Sequence, residues 1–249
     1  MTTLFVGTYH HEVLSHWRNH NASKLKVLHL DFHCDMRGLL IDRRSERAYQ
    51  IWDKRPGVDP GNFLTHAIVE GRIERICWVH DDPGGRRDDA LTVKYESDLT
   101  SRIHLMLIAY HKRKGIPLNY DVNLFSPWQG PSPDNCLDLD WDFFASHRYH
   151  PQSVKHRIKD FFTKTFPASI QEIYLTQSPD HCHPSQHMFE EFKDELANFF
   201  NADVVALGPI PKSAQLIPLY SRFVPHRMIN PLREIYHGSL IKLKKRGIY

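Results

Sequence analysis

Residues 25–36 read LKVLHLDFHCDM, and the architecture follows from how this stretch is read. Its first half is apolar enough for a strand covered on both faces of a parallel sheet. Where the apolar run ends, Asp31, His33 and Asp35 stand two residues apart. Alternate residues of a strand point the same way, so two carboxylates and an imidazole share one row at a strand's end.

Working outward, short apolar runs alternate with helical patterns. TTLFVGTY (2–9), RICWVH (75–80), NCLDLDWDFF (135–144), EIYLTQS (172–178) and ADVVALG (202–208) read as further strands. EVLSHWRNH (12–20) opens a helix. SVKHRIKDFFTKTF places Val154, Ile158, Phe161, Phe162 and Phe166 near one face, with Ser153 as its N-cap. SQHMFEEFKDELANFF does the same with Phe189, Phe192, Leu196 and Phe199 behind Ser185. Strand–helix alternation of this kind predicts one α/β domain over 1–249, a three-layer α/β/α fold with a mostly parallel central sheet. WDKRPGVDPGNF, HDDPGGRRDD and FSPWQGPSPD read as loops. In such a sheet the ligand crevice lies beyond the carboxyl ends of the strands.

A second acidic row matches the first. CLDLDWDFF carries Asp138, Asp140 and Asp142, again two apart at the end of an apolar run. Three same-face carboxylates repel one another and lose hydration, which is costly without a cation. Helix capping or arginine pairing accounts for one aspartate easily and for three poorly. His10 or His11, after the first strand in VGTYHHEVL, supplies a further nitrogen. Carboxylate oxygen with imidazole nitrogen and no thiolate suits Mn²⁺, with Zn²⁺, Fe²⁺ or Mg²⁺ as alternatives. Five or six such ligands suit two metals better than one.

The bulk composition narrows the class. Apolar residues make up 41% and charged residues 24%, enough for a sizeable core. A formal charge of +3 is too mild to argue for nucleic acid. The basic tail LIKLKKRGIY reads as a solvated end. Apolar stretches such as IHLMLIAY, from Ile103, are far short of a membrane span, and the N-terminus lacks a secretory signal. The four scattered cysteines, Cys34, Cys77, Cys136 and Cys182, read as free buried thiols, and the expected location is cytoplasmic.

Together these motifs resemble the ureohydrolase (arginase/deacetylase) superfamily. DFHCD is similar to its D-x-H-x-D signature, LDLDWDFF to its later D-x-D strand, and GTYH to its G-G-D-H turn. Through HHEVLSHW, HLDFHCDM, PGNFLTHA and DLDWDFF the chain looks most like the branch containing peptide arginases. The resemblance implies an arginase/deacetylase-like fold and two Mn²⁺ ions per chain, with Fe²⁺ or Zn²⁺ as alternatives. His10, Asp31, Asp35 and Asp140 would hold one ion. Asp31, His33, Asp140 and Asp142 would hold the other, with Asp138/Asp140 as the alternative register to Asp140/Asp142. It implies an activated water attacking a guanidinium carbon, Asp142 or Asp35 accepting a proton, and release of urea. His66 in GNFLTHA is the candidate donor to the leaving amine, or an ordinary histidine opening a helix. Asn62 binds substrate or shapes its loop.

The departures from the family bear on substrate. Free-arginine enzymes place a glutamate after a late strand, where this chain reads YLTQSPDHCHP. Asp180, Asp138 and Glu12 are the candidates for the guanidinium. The loops that grip free arginine's α-amino and α-carboxylate groups are not recognisable. The expected partner is therefore an arginine-containing ribosomal precursor peptide, with neither nucleic acid nor membrane involved. The rival readings are a metal-dependent deacetylase or other amidinohydrolase of the same superfamily, a non-catalytic relative that only binds metal or peptide and, from another class, a phosphoesterase, which would need a basic residue such as Arg37 at the metals. A separate site through His181, Cys182, His183 and His187 fits no familiar zinc spacing.

Overall fold

The protein is described by a computed structural model covering residues 1–51, 57–81, 91–93, 106, 108–110, 113–130, 134–147, 149–150, 152–182 and 186–208. The described strands, in chain order, are β1 (Thr2–Gly7), β2 (Leu25–Leu30), β3 (Leu39–Asp42), β4 (Arg47–Gln50), β5 (Ile73–His80), β6 (Leu91–Val93), β7 (Ile116–Pro117), β8 (Asn119–Leu124), β9 (Cys136–Asp140), β10 (Glu172–Thr176) and β11 (Ala202–Ala206). The α-helices with described bounds are α1 (His11–Asn19), α2 (Phe63–Val69), α3 (Asp142–Ala145), α4 (Ser153–Phe162) and α5 (Gln186–Phe200), with a 3-10 turn at Pro60–Asn62 leading into α2.

The central sheet runs β11-β1-β10-β9-β2-β5-β8, and every pairing in it is parallel. Period-two alternation divides its side chains between two cores. Leu4, Leu28, Leu30, Leu137, Leu139, Ile173 and Leu175 pack under α3, α4 and α5. Val27, Ile76, Trp78, Cys136 and Tyr174 pack under α1 and α2. Helices on both faces of a parallel sheet make the three-layer α/β/α arrangement expected from the sequence. The chain moves outward from β2 to β5 and β8, then returns to β9 and leaves the other way through β10. Its direction therefore switches between neighbouring β2 and β9, the position at which open α/β sheets bind ligands.

Several local readings change. The strand LKVLHLDFH stops at Leu30, and Asp35 takes a left-handed backbone with φ 53°, so the residues from Asp31 onward form a turn. The run 135–144 divides into β9 and the short helix α3, which begins at Asp142. Ser153 lies inside α4, and its Oγ donates to the carbonyl of His150 instead of capping the helix. Ser185, His183 and the basic tail fall outside the described residues, as do residues 52–56, 82–89 and 131–133 of the three loop stretches. Phe199 is exposed at the end of α5. A second sheet, β6-β3-β4-β7, and strand β8 had no counterpart in the sequence reading. These strands are short or polar-rich, so periodicity carried little signal. All four cysteines are free and buried.

On α1, His16 lies against Phe5 (ring centroids 4.3 Å), His20 (4.1 Å) and Tyr174 (5.6 Å). Burial and the neighbouring His20 push its pKa down from 6.5 to about 4. The folded state thus binds fewer protons here than the unfolded chain, and stability falls as pH drops through the window from 6.5 to about 4. In urea unfolding across that window, His16→Phe should remove part of this slope. Parallel pH profiles for the two proteins would reject the assignment.

Candidate metal centre

The switch point holds five aspartates and three histidines: Asp31, Asp35, Asp138, Asp140, Asp142, His10, His29 and His33. Backbone register brings them there. In β2 and β9, His29 stands directly beside Asp138, flanked by the pairs Leu28/Leu137 and Leu30/Leu139. Alternation sends both polar side chains to the face covered by α1 and α2. Asp140 ends β9, and Asp142 follows at the first position of α3. His10 occupies the N-cap position of α1, at the turn after β1.

One ring nitrogen of His10, Nδ1, faces three carboxylates. It lies 2.9 Å from Asp35 Oδ2, 3.1 Å from Asp31 Oδ2 and 3.3 Å from Asp140 Oδ2. Its other nitrogen, Nε2, lies 3.0 Å from Asp138 Oδ1. A second set opens beside the first: His33 Nδ1 is 2.9 Å from Asp142 Oδ2 and 3.8 Å from Asp31 Oδ1. Asp31 therefore contributes one oxygen to each set. Hydrogen bonds orient the carboxylates. Asp140 accepts from Ser178 Oγ (2.7 Å) and the Asp142 amide (3.0 Å), and Asp31 accepts from the His33 amide (2.6 Å). Ser178, like Asp35, has a left-handed backbone, with φ 43°. Two non-glycine residues held in that sparsely populated region lie within one site, where strained geometry tends to concentrate.

Burial makes the electrostatics severe. Asp31, His10, His29 and Asp138 are wholly inaccessible, whereas the His33 side chain is 36% exposed and marks the mouth. Burial and the charges of Asp35 and Asp140 push Asp31 up, and burial pushes Asp35 up. Burial with Asp140 and Asp31 holds Asp142 well above the carboxylate range. Burial acts the other way on imidazole, but is outweighed. Asp138 and Asp140 raise His10 well above 6.5, the Asp138 hydrogen bond raises His29, and Asp142 and Asp31 raise His33 to about 9. For Asp138 and Asp140, the effect of burial is overcome chiefly by His10, and both are lowered.

The residues fit divalent cations. His10 Nδ1, His29 Nε2, Asp31 Oδ2 and Asp142 Oδ2 are buried and make no aligned hydrogen bond; their close neighbours are the oppositely charged groups at 2.9–3.5 Å in the ion-pair contacts around Asp31 and Asp142. Ligands about 2.1 Å from an octahedral ion stand about 3 Å apart along its edges. The spacings around His10 Nδ1 are of that size. The donor set, oxygen with imidazole nitrogen and no sulfur, suits Mn²⁺, Mg²⁺, Fe²⁺ or Zn²⁺.

The structure brings together six of the ligands expected from the sequence: His10, Asp31, His33, Asp35, Asp140 and Asp142. His11, the alternative to His10, begins α1 and stacks on Tyr9. Asp138 lies beneath the cluster with both oxygens taken by His10 and His29, at 3.0 and 2.8 Å. Asn62 accepts from the Asp59 amide and donates to the Gly57 carbonyl, closing a capping box that shapes its loop. Glu12 accepts from the Thr8 amide. Asp180 is exposed on the loop after β10, beside His181, whose ring is 5.6 Å from that of His33. His66 lies on buried α2, where Phe63 packs 4.9 Å from His10. His187 is exposed and pairs with Glu191. His29 and Ser178 had no assigned role in the sequence reading. Carrying the two-residue alternation one step back from Asp31 identifies His29.

No protein-family model matches the chain, and no curated protein does. Among solved structures, the fold is similar to an arginase from Medicago truncatula, at 10% identity and TM-score 0.41, covering 80% of this chain and 58% of that one. It is also similar to a hypothetical agmatinase from Burkholderia thailandensis, at 12% identity and TM-score 0.33, covering 79% and 60%. A third is the proclavaminate amidino hydrolase from Streptomyces clavuligerus, at 15% identity and TM-score 0.35, covering 79% and 61%. The chain spans about three fifths of the length of these structures.

Proposed function

We propose that the chain is a peptide arginase, a Mn²⁺-dependent hydrolase that converts arginine side chains of a ribosomal precursor peptide to ornithine and urea. The observation that carries this reading is the pair of ligand sets sharing Asp31. His10, Asp35 and Asp140 complete the inner set, and His33 and Asp142 the outer one. When bound, two such cations supply an acidified water near neutral pH and polarise the group it attacks.

The chain's own residues supply the rest. Asp142 or Asp35 receives the proton released when water adds to the guanidinium carbon. His66 delivers one to the leaving amine. Of the three carboxylates considered for the guanidinium, Asp138 is enclosed by two imidazoles and Glu12 accepts from the backbone. Asp180, exposed beside the mouth, takes that role. The absence from the sequence of recognisable α-amino and α-carboxylate grips favours arginine in amide linkage. The phosphoesterase reading needs a cation facing the metals, but Arg37 is engaged by Asp59 at 2.6 Å.

Mass spectrometry of arginine-containing peptides, beside free arginine, tests the reaction after incubation with Mn²⁺-loaded protein. The expected product is lighter by about 42 Da per site, the CN₂H₂ unit that water carries off as urea, and is absent with Asp140→Ala. Unchanged masses across varied peptides, with metal shown to be bound, would reject the activity and move attention to acetylated and phosphorylated substrates.

A further inference from the structure

The structure assigns His29 as a second imidazole ligand of the inner cation, an assignment that rests on the two-ion reading but not on the substrate cleaved. His29 is fully buried in β2. Its Nδ1 lies 2.8 Å from Asp138 Oδ2, which engages that nitrogen. Its Nε2 is buried without a hydrogen-bond partner, 3.5 Å from Asp31 Oδ2, in a group with Asp31 and Asp35. His10 has the same arrangement in mirror order. Nε2 meets Asp138 Oδ1 at 3.0 Å, and Nδ1 faces Asp31, Asp35 and Asp140. One carboxylate thus clamps two imidazoles, one on each oxygen, and each imidazole turns its other nitrogen toward Asp31 Oδ2.

A ring held by a carboxylate on one nitrogen and bare on the other is how proteins orient metal-ligating histidine. In His29 that nitrogen lies 3.5 Å from Asp31 Oδ2 without an aligned hydrogen bond, a separation that two ligands of one cation can keep. A purely structural His29 would satisfy Nε2 by hydrogen bonding, and here it does not. His29 groups with Asp31 and Asp35 as His10 does with Asp31 and Asp140, so the inner position would draw on two imidazoles, against one in the outer set. The added nitrogen shifts that position's preference away from Mg²⁺ and Mn²⁺ toward later metals such as Fe²⁺, Co²⁺ and Zn²⁺.

Co²⁺ titration of the metal-free protein, followed by visible absorption and X-ray absorption at the cobalt edge, is the test. The informative variant is His29→Asn, whose amide nitrogen stands where Nδ1 was and can still donate to Asp138, while Nε2 is gone. The wild type should bind two Co²⁺, with three imidazoles shared between them. His29→Asn should bind one of the two more weakly by roughly 10–100-fold or more, with two imidazoles remaining and a changed visible spectrum. Unchanged affinity and spectrum in the variant would overturn the assignment. So would a wild-type count of two imidazoles, which needs no variant to fold. A wild type that binds no Co²⁺ would overturn the two-ion cage and His29's role together. Two ions on three imidazoles without guanidinium hydrolysis would uphold His29 and reject only the substrate.

Discussion

Asp31→Asn should abolish tight binding of the cation pair and lower hydrolysis by more than roughly 100-fold, the upper end of losses seen when only an outer partner of a metal ligand is removed. Asp31 belongs to three of the four ligand groups in the cluster, more than any other residue there. Asparagine keeps its shape and one carbonyl oxygen but removes the charge and the second anionic ligand. The same change should leave the metal-free protein as stable as the wild type or more so. Asp31 has no solvent access and faces Asp35 and Asp140, so deleting its charge relieves repulsion between buried carboxylates. The wild type should instead gain stability on metal addition, by about 4 kcal/mol when free metal exceeds its Kd 1,000-fold. Thermal melts of both proteins with and without Mn²⁺ separate these effects. A metal-dependent rise in Tm that survives in Asp31→Asn would show that the cation is not held there.

The largest expected stability loss lies on the opposite face of the sheet. Phe192 on α5 is almost wholly buried, with ring centroids 4.6 Å from Phe144, 5.6 Å from Trp141 and Phe161, and 5.7 Å from Phe162. Truncation leaves a cavity among rigid aromatic rings that cannot collapse into it, so Phe192→Ala should cost about 3–5 kcal/mol. For a chain of this size that is a fall in Tm of roughly 6–20 °C. Within the cluster His29 and Asp138 lie on the α1–α2 face and Asp142 begins α3 between Trp141 and Phe144, so metal affinity of the folded fraction should change little beside the loss of stability and only through Asp142. A loss of stability below about 1 kcal/mol would mean that the aromatic core repacks around the gap.

What the sequence determined by itself was the alternation. Apolar runs of strand length between amphipathic helices dictate a parallel sheet with both faces covered, and two acidic rows at strand ends point to a shared site. Those signals are local, carried by periods of two and 3.6 residues. They could not say that β2 lies beside β9, which depends on a chain reversal spanning more than a hundred residues. Only that pairing sets His29 against Asp138 and turns an aspartate that looked available for substrate into the clamp on two imidazoles. β2 ends at Leu30, and His33 and Asp35 converge with Asp31 through a turn with a left-handed residue, not through strand periodicity. Composition and spacing record which groups are present and how far apart along the chain. Which nitrogen faces which oxygen is decided by packing, because burial leaves each polar atom only the partners the fold brings to it.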